Sequence, residues 1–226
     1  MAESDKQMVF RDPHTMAIKK KVAVPCSGLN HADWSADGTF FVASCEFSGQ
    51  ILLVDTAKMK VLKVVKLPHT YTSTPMPQDV KISPDGSTFY IADMMSNGVW
   101  AMPANAFGSF TLIKTGIEAH GIYVNRDSKT ALISNRGEGS VSVLRFSDNK
   151  IIAKWKIPGG GSPDMGGISA DGKQFWVSGR YNGVVYIFDI VHGKFLRSVK
   201  VGKEPHGLAI YPQPGRYSLG HTGVFR

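Results

Sequence analysis

No uninterrupted apolar run in this 226-residue chain approaches the roughly 18–20 residues that a membrane-spanning helix requires. Compact catalytic signatures are missing too. There is no HExxH or CxxC metal motif, no CxxCH haem attachment, and no GKS or GKT after a glycine-rich loop. "GISADG" breaks the GxSxG nucleophile elbow at its last position. "PGGGSPDMGG" (Pro158 to Gly167) therefore reads as a loop between structural repeats rather than a phosphate cradle. The start, "MAESDKQMVF", has no apolar export core. Only 19% of residues are charged, and the excess of 26 Lys and Arg over 18 Asp and Glu gives a formal charge of +8. The basic residues are scattered, and Lys19 to Lys21 fall in an expected outer strand, where lysine guards an edge against stray pairing. No nucleic-acid partner is expected.

What the chain has in quantity is repetition. "SADGTFFVASCEFSGQILLVD" from Ser35, "SPDGSTFYIADMMSNGVWAMP" from Ser83, "NRDSKTALISNRGEGSVSVLRF" from Asn125 and "SADGKQFWVSGRYNGVVYIFD" from Ser169 align, with starts 48, 42 and 44 residues apart. Each unit has a polar turn, a β-rich run, a short loop ending in glycine and a second β-rich run. "KVLKVVKL", "KIIAKWKI" and "KFLRSVKV" add a further strand, and a short apolar run precedes each turn. Four strands in about 40–45 residues is the size of a propeller blade. A β-sandwich has no reason to repeat the same four-strand pattern. The expected fold is all-β: one propeller domain over residues 1–226, with blades near 30–67, 78–117, 120–157 and 164–201. A fifth blade is expected from 205–226 together with 7–24, closing the ring and removing its open edges.

The SPDG and SADG turns, the V-x-x-F/V-D strand ends and the G-K-x-L/V returns resemble YVTN-repeat propellers, the YncE-like group. The long words "FRDPHTM", "VASCEFSG", "SNRGEGSVSV" and "YPQPGRYSLGHTG" are most similar to bacterial members. The resemblance covers essentially the whole chain. It implies a propeller, usually seven-bladed, and an extracytoplasmic place of work, although the chain shows no export signal of its own and a cytoplasmic protein also fits. A ring left incomplete would invite oligomerisation through its open edges.

"EAHGIYVNRD" and "EPHGLAIYPQ" repeat one phrase, with Glu118 and Glu204 86 residues apart. His120 and His206 then hold one repeat position, the start of the innermost strand, where the other units have Asn30, Gln78 and Asp164, with His31 and Asp79 one residue on. In a propeller the loops between second and third strands open on that same face. They carry Glu46, Arg136, Arg180 and His221. These ten or so side chains are the expected ligand-binding set around a channel mouth. His31, His120, His206 and Asp164 are candidate N/O donors for a divalent metal, and no catalytic residue is assigned. A polar channel wall bonded to water and backbone accounts for the same residues.

Cys26 and Cys45 flank the hairpin about the Ala36–Gly38 turn, which brings residue 45 near residue 30. A disulfide, two buried thiols and thiolate metal ligands all fit this placement, the disulfide being preferred. The function expected is a non-enzymatic binding propeller, with a metal, small ligand or protein at the mouth. The alternatives are a metal-dependent, lactonase-like hydrolase or a haem-associated redox propeller.

Overall fold

The period-two alternation of the sequence becomes eighteen β-strands and one 3-10 turn in the computed structural model, which describes residues 5–70 and 73–211. Strands β1 (Gln7–Arg11) and β2 (Ile18–Ala23) form a two-stranded antiparallel sheet. The first four-stranded blade is β3 (Leu29–Trp34), β4 (Phe40–Cys45), β5 (Gln50–Asp55) and β6 (Lys60–Lys66). The second is β7 (Pro77–Ile82), β8 (Thr88–Asp93), β9 (Gly98–Pro103) and β10 (Thr111–Lys114). The third is β11 (Ala119–Val124), β12 (Thr130–Asn135), β13 (Ser140–Arg145) and β14 (Lys150–Lys156). The fourth is β15 (Pro163–Ile168), β16 (Gln174–Gly179), β17 (Val184–Asp189) and β18 (Lys194–Lys200). In each sheet, strands adjacent in sequence are adjacent in space. The protein is an all-β propeller of four-stranded antiparallel blades.

The chain divides into two compact units, Met1–Ser96 with Trp100–Thr111, and Asn97–Val99 with Leu112–Arg226. In the first, Met8 and Val24 of the N-terminal segment pack with Leu29, Phe41, Ala43 and Leu52 of the first blade. In the second, Tyr123, Leu132 and Val141 of the third blade pack with Phe175, Val177 and Phe188 of the fourth. Trp155 joins that layer, its ring 6.1 Å from Phe188. Residues 205–210, where a strand was expected, carry none; the C-terminal part of that expected blade from 212 on, with His221, lies outside the described residues.

The turn between first and second strands is built the same way each time. Ser35, Ser83 and Ser169 donate their hydroxyls to Asp37, Asp85 and Asp171 at 2.7, 2.5 and 2.6 Å. The same carboxylates accept backbone N–H bonds from Thr39, Ser87 and Lys173. Gly38, Gly86 and Gly172 then take left-handed φ values of 72°, 75° and 72°. In the third blade Ser128 adopts that conformation instead, at 57°. This explains why "NRDS" reads as a variant of SADG.

A second repeated device ties the end of the second strand to the segment before the first strand in three of the four blades. In the first blade the tie is covalent: Cys45 is disulfide-bonded to Cys26. In the second, Asp93 Oδ1 accepts the Met76 N–H at 2.8 Å, while Oδ2 accepts from Ser96 and Trp100 Nε1. In the third, the Thr115 hydroxyl donates to Asn135 at 3.0 Å. Cys45, Asp93 and Asn135 are all the sixth residue of their strands. The disulfide thus fills a structural repeat position that other blades fill with hydrogen bonds.

Candidate functional site

Pairing between first and second strands slips at one place in every blade. The irregular steps are Leu29/Ala32, Pro77/Val80, Ala119/Ile122 and Pro163/Gly166. Each releases a dipeptide from the ladder: Asn30–His31, Gln78–Asp79, His120–Gly121 and Asp164–Met165. These dipeptides hold most of the polar residues read from the sequence. A bulge frees backbone N–H and C=O groups that burial will not tolerate unpaired. The fifth residue of the second strand supplies the missing partners. Ser44 Oγ accepts the His31 N–H at 3.1 Å, Ser134 Oγ accepts the Gly121 N–H at 2.8 Å, and Ser178 Oγ accepts the Met165 N–H at 3.2 Å. Ser134 also donates to the Asp164 carbonyl at 2.8 Å, linking the third and fourth blades. The bulges therefore aim polar side chains away from the ladder, and the serines stabilise the aim.

In the second unit two of these residues, His120 and Asp164, meet Arg136, Arg180 and His206. Asp164, fully buried, is the hub. His120 Nδ1 lies 3.0 Å from its Oδ1, and Arg136 Nη2 donates to the same oxygen at 2.9 Å. Arg180 Nη1 is 3.5 Å from Oδ2 and His206 Nε2 is 3.7 Å from it. One donor atom each from His120, Asp164 and His206 falls within 4.8 Å of the other two. The two imidazoles stand edge-on, with centroids 6.2 Å apart. His120 is buried, whereas the His206 side chain is 37% exposed, so the cluster is reached from the His206 and Arg180 side.

The recurring phrases also acquire separate physical reasons. Glu118 and Glu204 both sit in the left-handed region, at φ 56° and 48°, so the phrase marks one backbone turn. The glycines that follow the histidines differ. A Cβ on Gly121 would meet the Tyr123 hydroxyl at 2.3 Å, whereas Gly207 is needed for its φ of 72°.

In the first unit Asp79 is the corresponding hub. Lys81 Nζ donates to its Oδ1 at 2.9 Å and His31 Nδ1 lies 3.6 Å from that atom, all three being buried. Asn30 Nδ2 donates to Glu46 at 3.0 Å, and Gln78 Nε2 to the Met76 carbonyl at 3.4 Å. His31, taken from the sequence as a fourth metal donor, is thus placed with Asp79 and Lys81. Lys81 was missed on sequence. Its signal is the period-two spacing to Asp79, which puts both side chains on one strand face.

A family model for YncE-like β-propellers matches residues 70–215, well over half of the chain. The chain belongs to the YncE-like β-propeller family. Hydrazine synthase of Kuenenia stuttgartiensis is structurally similar to this YncE-like propeller at 23% identity and a TM-score of 0.67. The alignment covers 80% of this chain and 51% of that one, so the YncE-like chain spans about half the length of that relative. A catalytically inactive variant of virginiamycin B lyase from Staphylococcus aureus, solved with quinupristin, gives 15% identity and a TM-score of 0.76 over 92% of this chain and 68% of the lyase. At these identities the likeness is one of fold. No curated protein matches the chain.

The remaining residues missed on sequence are Tyr181 and the three serines. The Tyr181 N–H donates to the Ser162 hydroxyl at 2.8 Å, and the Tyr181 hydroxyl lies 3.5 Å from Arg136 Nη1. The guanidinium of Arg136 also stands 6.0 Å from the Tyr181 ring centroid. The serines were legible as a column, "AS", "IS" and "VS" before each loop, with Ala92 as the exception.

Proposed function

We propose that this YncE-like propeller is a non-enzymatic binding protein whose His120–Asp164–His206 cluster holds a divalent metal ion. The observation that carries the reading is the approach of two imidazoles and one carboxylate to within 4.8 Å. Donors on a single zinc-like ion, bound at about 2.0–2.2 Å, stand roughly 3–3.5 Å apart. His206 Nε2, 3.7 Å from Asp164 Oδ2, is close to that spacing, and His120 Nδ1 lies 3.0 Å from the other oxygen of the same carboxylate. A donor set of two nitrogens and one oxygen suits zinc and its first-row neighbours better than calcium or magnesium. Asp164 Oδ1 is already engaged by Arg136, while Oδ2 accepts no hydrogen bond from the described residues and is the oxygen offered to the ion. Arg136 would act as the outer partner that fixes the carboxylate's orientation. Arg180 opposes a dication and has to give way or be matched by an anion.

The Cys26–Cys45 disulfide supports an oxidising, extracytoplasmic compartment. The hydrolytic alternative would use the same ion to activate water, and no separate observation favours it. Cobalt(II) titration of chelator-treated protein tests the proposal. One equivalent should bring up visible d–d absorption, lost in His120→Ala and in His206→Ala. A spectrum that stays featureless at excess cobalt would sink the metal reading.

A further inference from the structure

Beside the cluster lies a cavity of 670 Å³, lined by the loop from Arg180 to Gly183 and by Lys200 to Glu204. Its charge is unbalanced. Arg180, Lys200 and Lys203 contribute three cations against the single carboxylate of Glu204. We infer that this cavity takes a small organic anion whose carboxylate or phosphate group is gripped by Arg180 together with Lys203. The inference rests on reading this region as a binding site, but not on the metal.

Three features carry it. Arg180 is partly exposed, and its Nη1 is held to Asp164 Oδ2 only at 3.5 Å, beyond the 2.9 Å of the Arg136 bond to the same carboxylate. A planar guanidinium with a loose internal partner retains donors for a bidentate oxyanion. Second, donors cluster on the same rim. The Ser162 hydroxyl occupies the Asn182 side-chain carbonyl at 2.7 Å, which leaves the Asn182 amide nitrogen as the end that can donate to a ligand. The exposed Tyr181 hydroxyl adds another polar group, and its ring adds an apolar face. Third, the volume exceeds what a bare inorganic ion fills and falls within the range of about 300–1,000 Å³ typical of small-molecule sites. The ligand is therefore an organic anion, with a body lying against Tyr181 and Val201.

The geometry also couples the two sites through one side chain. An oxyanion that draws Arg180 into the cavity removes a cation from Asp164 Oδ2, the oxygen proposed for the metal. Anion and metal should then strengthen each other's binding, and by linkage to the same extent.

Isothermal titration of metal-free, chelator-treated protein with inorganic phosphate, and separately with succinate, tests the inference. Saturable binding of either probe at constant ionic strength is expected, with the tighter one identifying the headgroup class. Arg180→Ala and Lys203→Ala should each weaken it on the order of tenfold. Because the protein is metal-free throughout, the titration separates failure of the cavity from failure of the metal site. Circular dichroism confirms that each variant folds, and Arg180→Lys, which keeps the charge but loses the fork, should bind at an intermediate level. Absence of saturable binding, binding unchanged in Arg180→Ala, or equal displacement by chloride would overturn the inference.

Discussion

A single serine hydroxyl decides whether a bulge is affordable in a buried strand. Ser134 accepts from Gly121 N–H and donates to the Asp164 carbonyl, both in fully buried surroundings. Ser134→Ala would leave an N–H and a C=O without those partners, and should destabilise the protein by about 1–3 kcal/mol. Because the bulge also aims His120 and supports Asp164, metal affinity should fall with it. Denaturant titration and cobalt titration of the same variant read the two effects separately. Ala92 stands at the equivalent position in the second blade, so no serine hydroxyl serves the Gln78–Asp79 bulge there. At Asp164 the stakes are larger. Asp164→Ala leaves the buried Arg136 without its carboxylate, and loss of one partner of a buried pair costs roughly 3–5 kcal/mol. Asp164→Asn, which keeps the shape and an acceptor, should fold better than Asp164→Ala and still bind no metal.

At the scale of the strand and turn, the repeated aspartates set a pH limit. Hydrogen bonds from the neighbouring serine hydroxyls, then from backbone N–H groups, hold Asp37, Asp85 and Asp171 below the usual carboxylate range. A carboxyl with a folded pKa below its unfolded value stabilises the fold above the unfolded value, near 4, and loses that stabilisation as pH falls through the folded value. Asp12 adds to the same limb, held down chiefly by the Thr15 N–H and by Lys19. The opposite sign applies to Tyr90, whose burial pushes its hydroxyl up to about 12. Its contribution is complete below pH 10 and lost between about 10 and 12. Thermal midpoints measured across pH should thus form a plateau with an acid edge below about 4. Asp85→Asn should lower the plateau and soften that edge. The staple at Cys26–Cys45 is the other device of this scale. Closing a loop of 19 residues in the unfolded chain should contribute about 3 kcal/mol. Reduction should lower the denaturation midpoint correspondingly, while cobalt binding at the proposed site, built in the other unit, should persist.

For the whole molecule, the sequence carried the architecture because a propeller writes each blade in the same words. Ser35, Ser83 and Ser169 mark the turns, and the strands fall where the alternation places them. The site was legible only as a column of repeat positions. Asn30, Gln78, His120 and Asp164 hold the same position in four separate bulges, but nothing in linear spacing states which of them share a hub. That depends on which side chains the bulges aim at Asp164 and which at Asp79. Lys81, Tyr181 and Ser134 were missed because their chemistry is that of ordinary strand and loop residues until their partners are known. The central claim is that the His120–Asp164–His206 cluster is a metal site. Its most direct test is metal content per chain, by inductively coupled plasma mass spectrometry, for protein incubated with zinc and desalted. The account predicts close to one ion per chain, and essentially none in a folded His120→Ala, His206→Ala double variant. A wild-type protein that emerges metal-free, or a double variant that retains the ion, would contradict it.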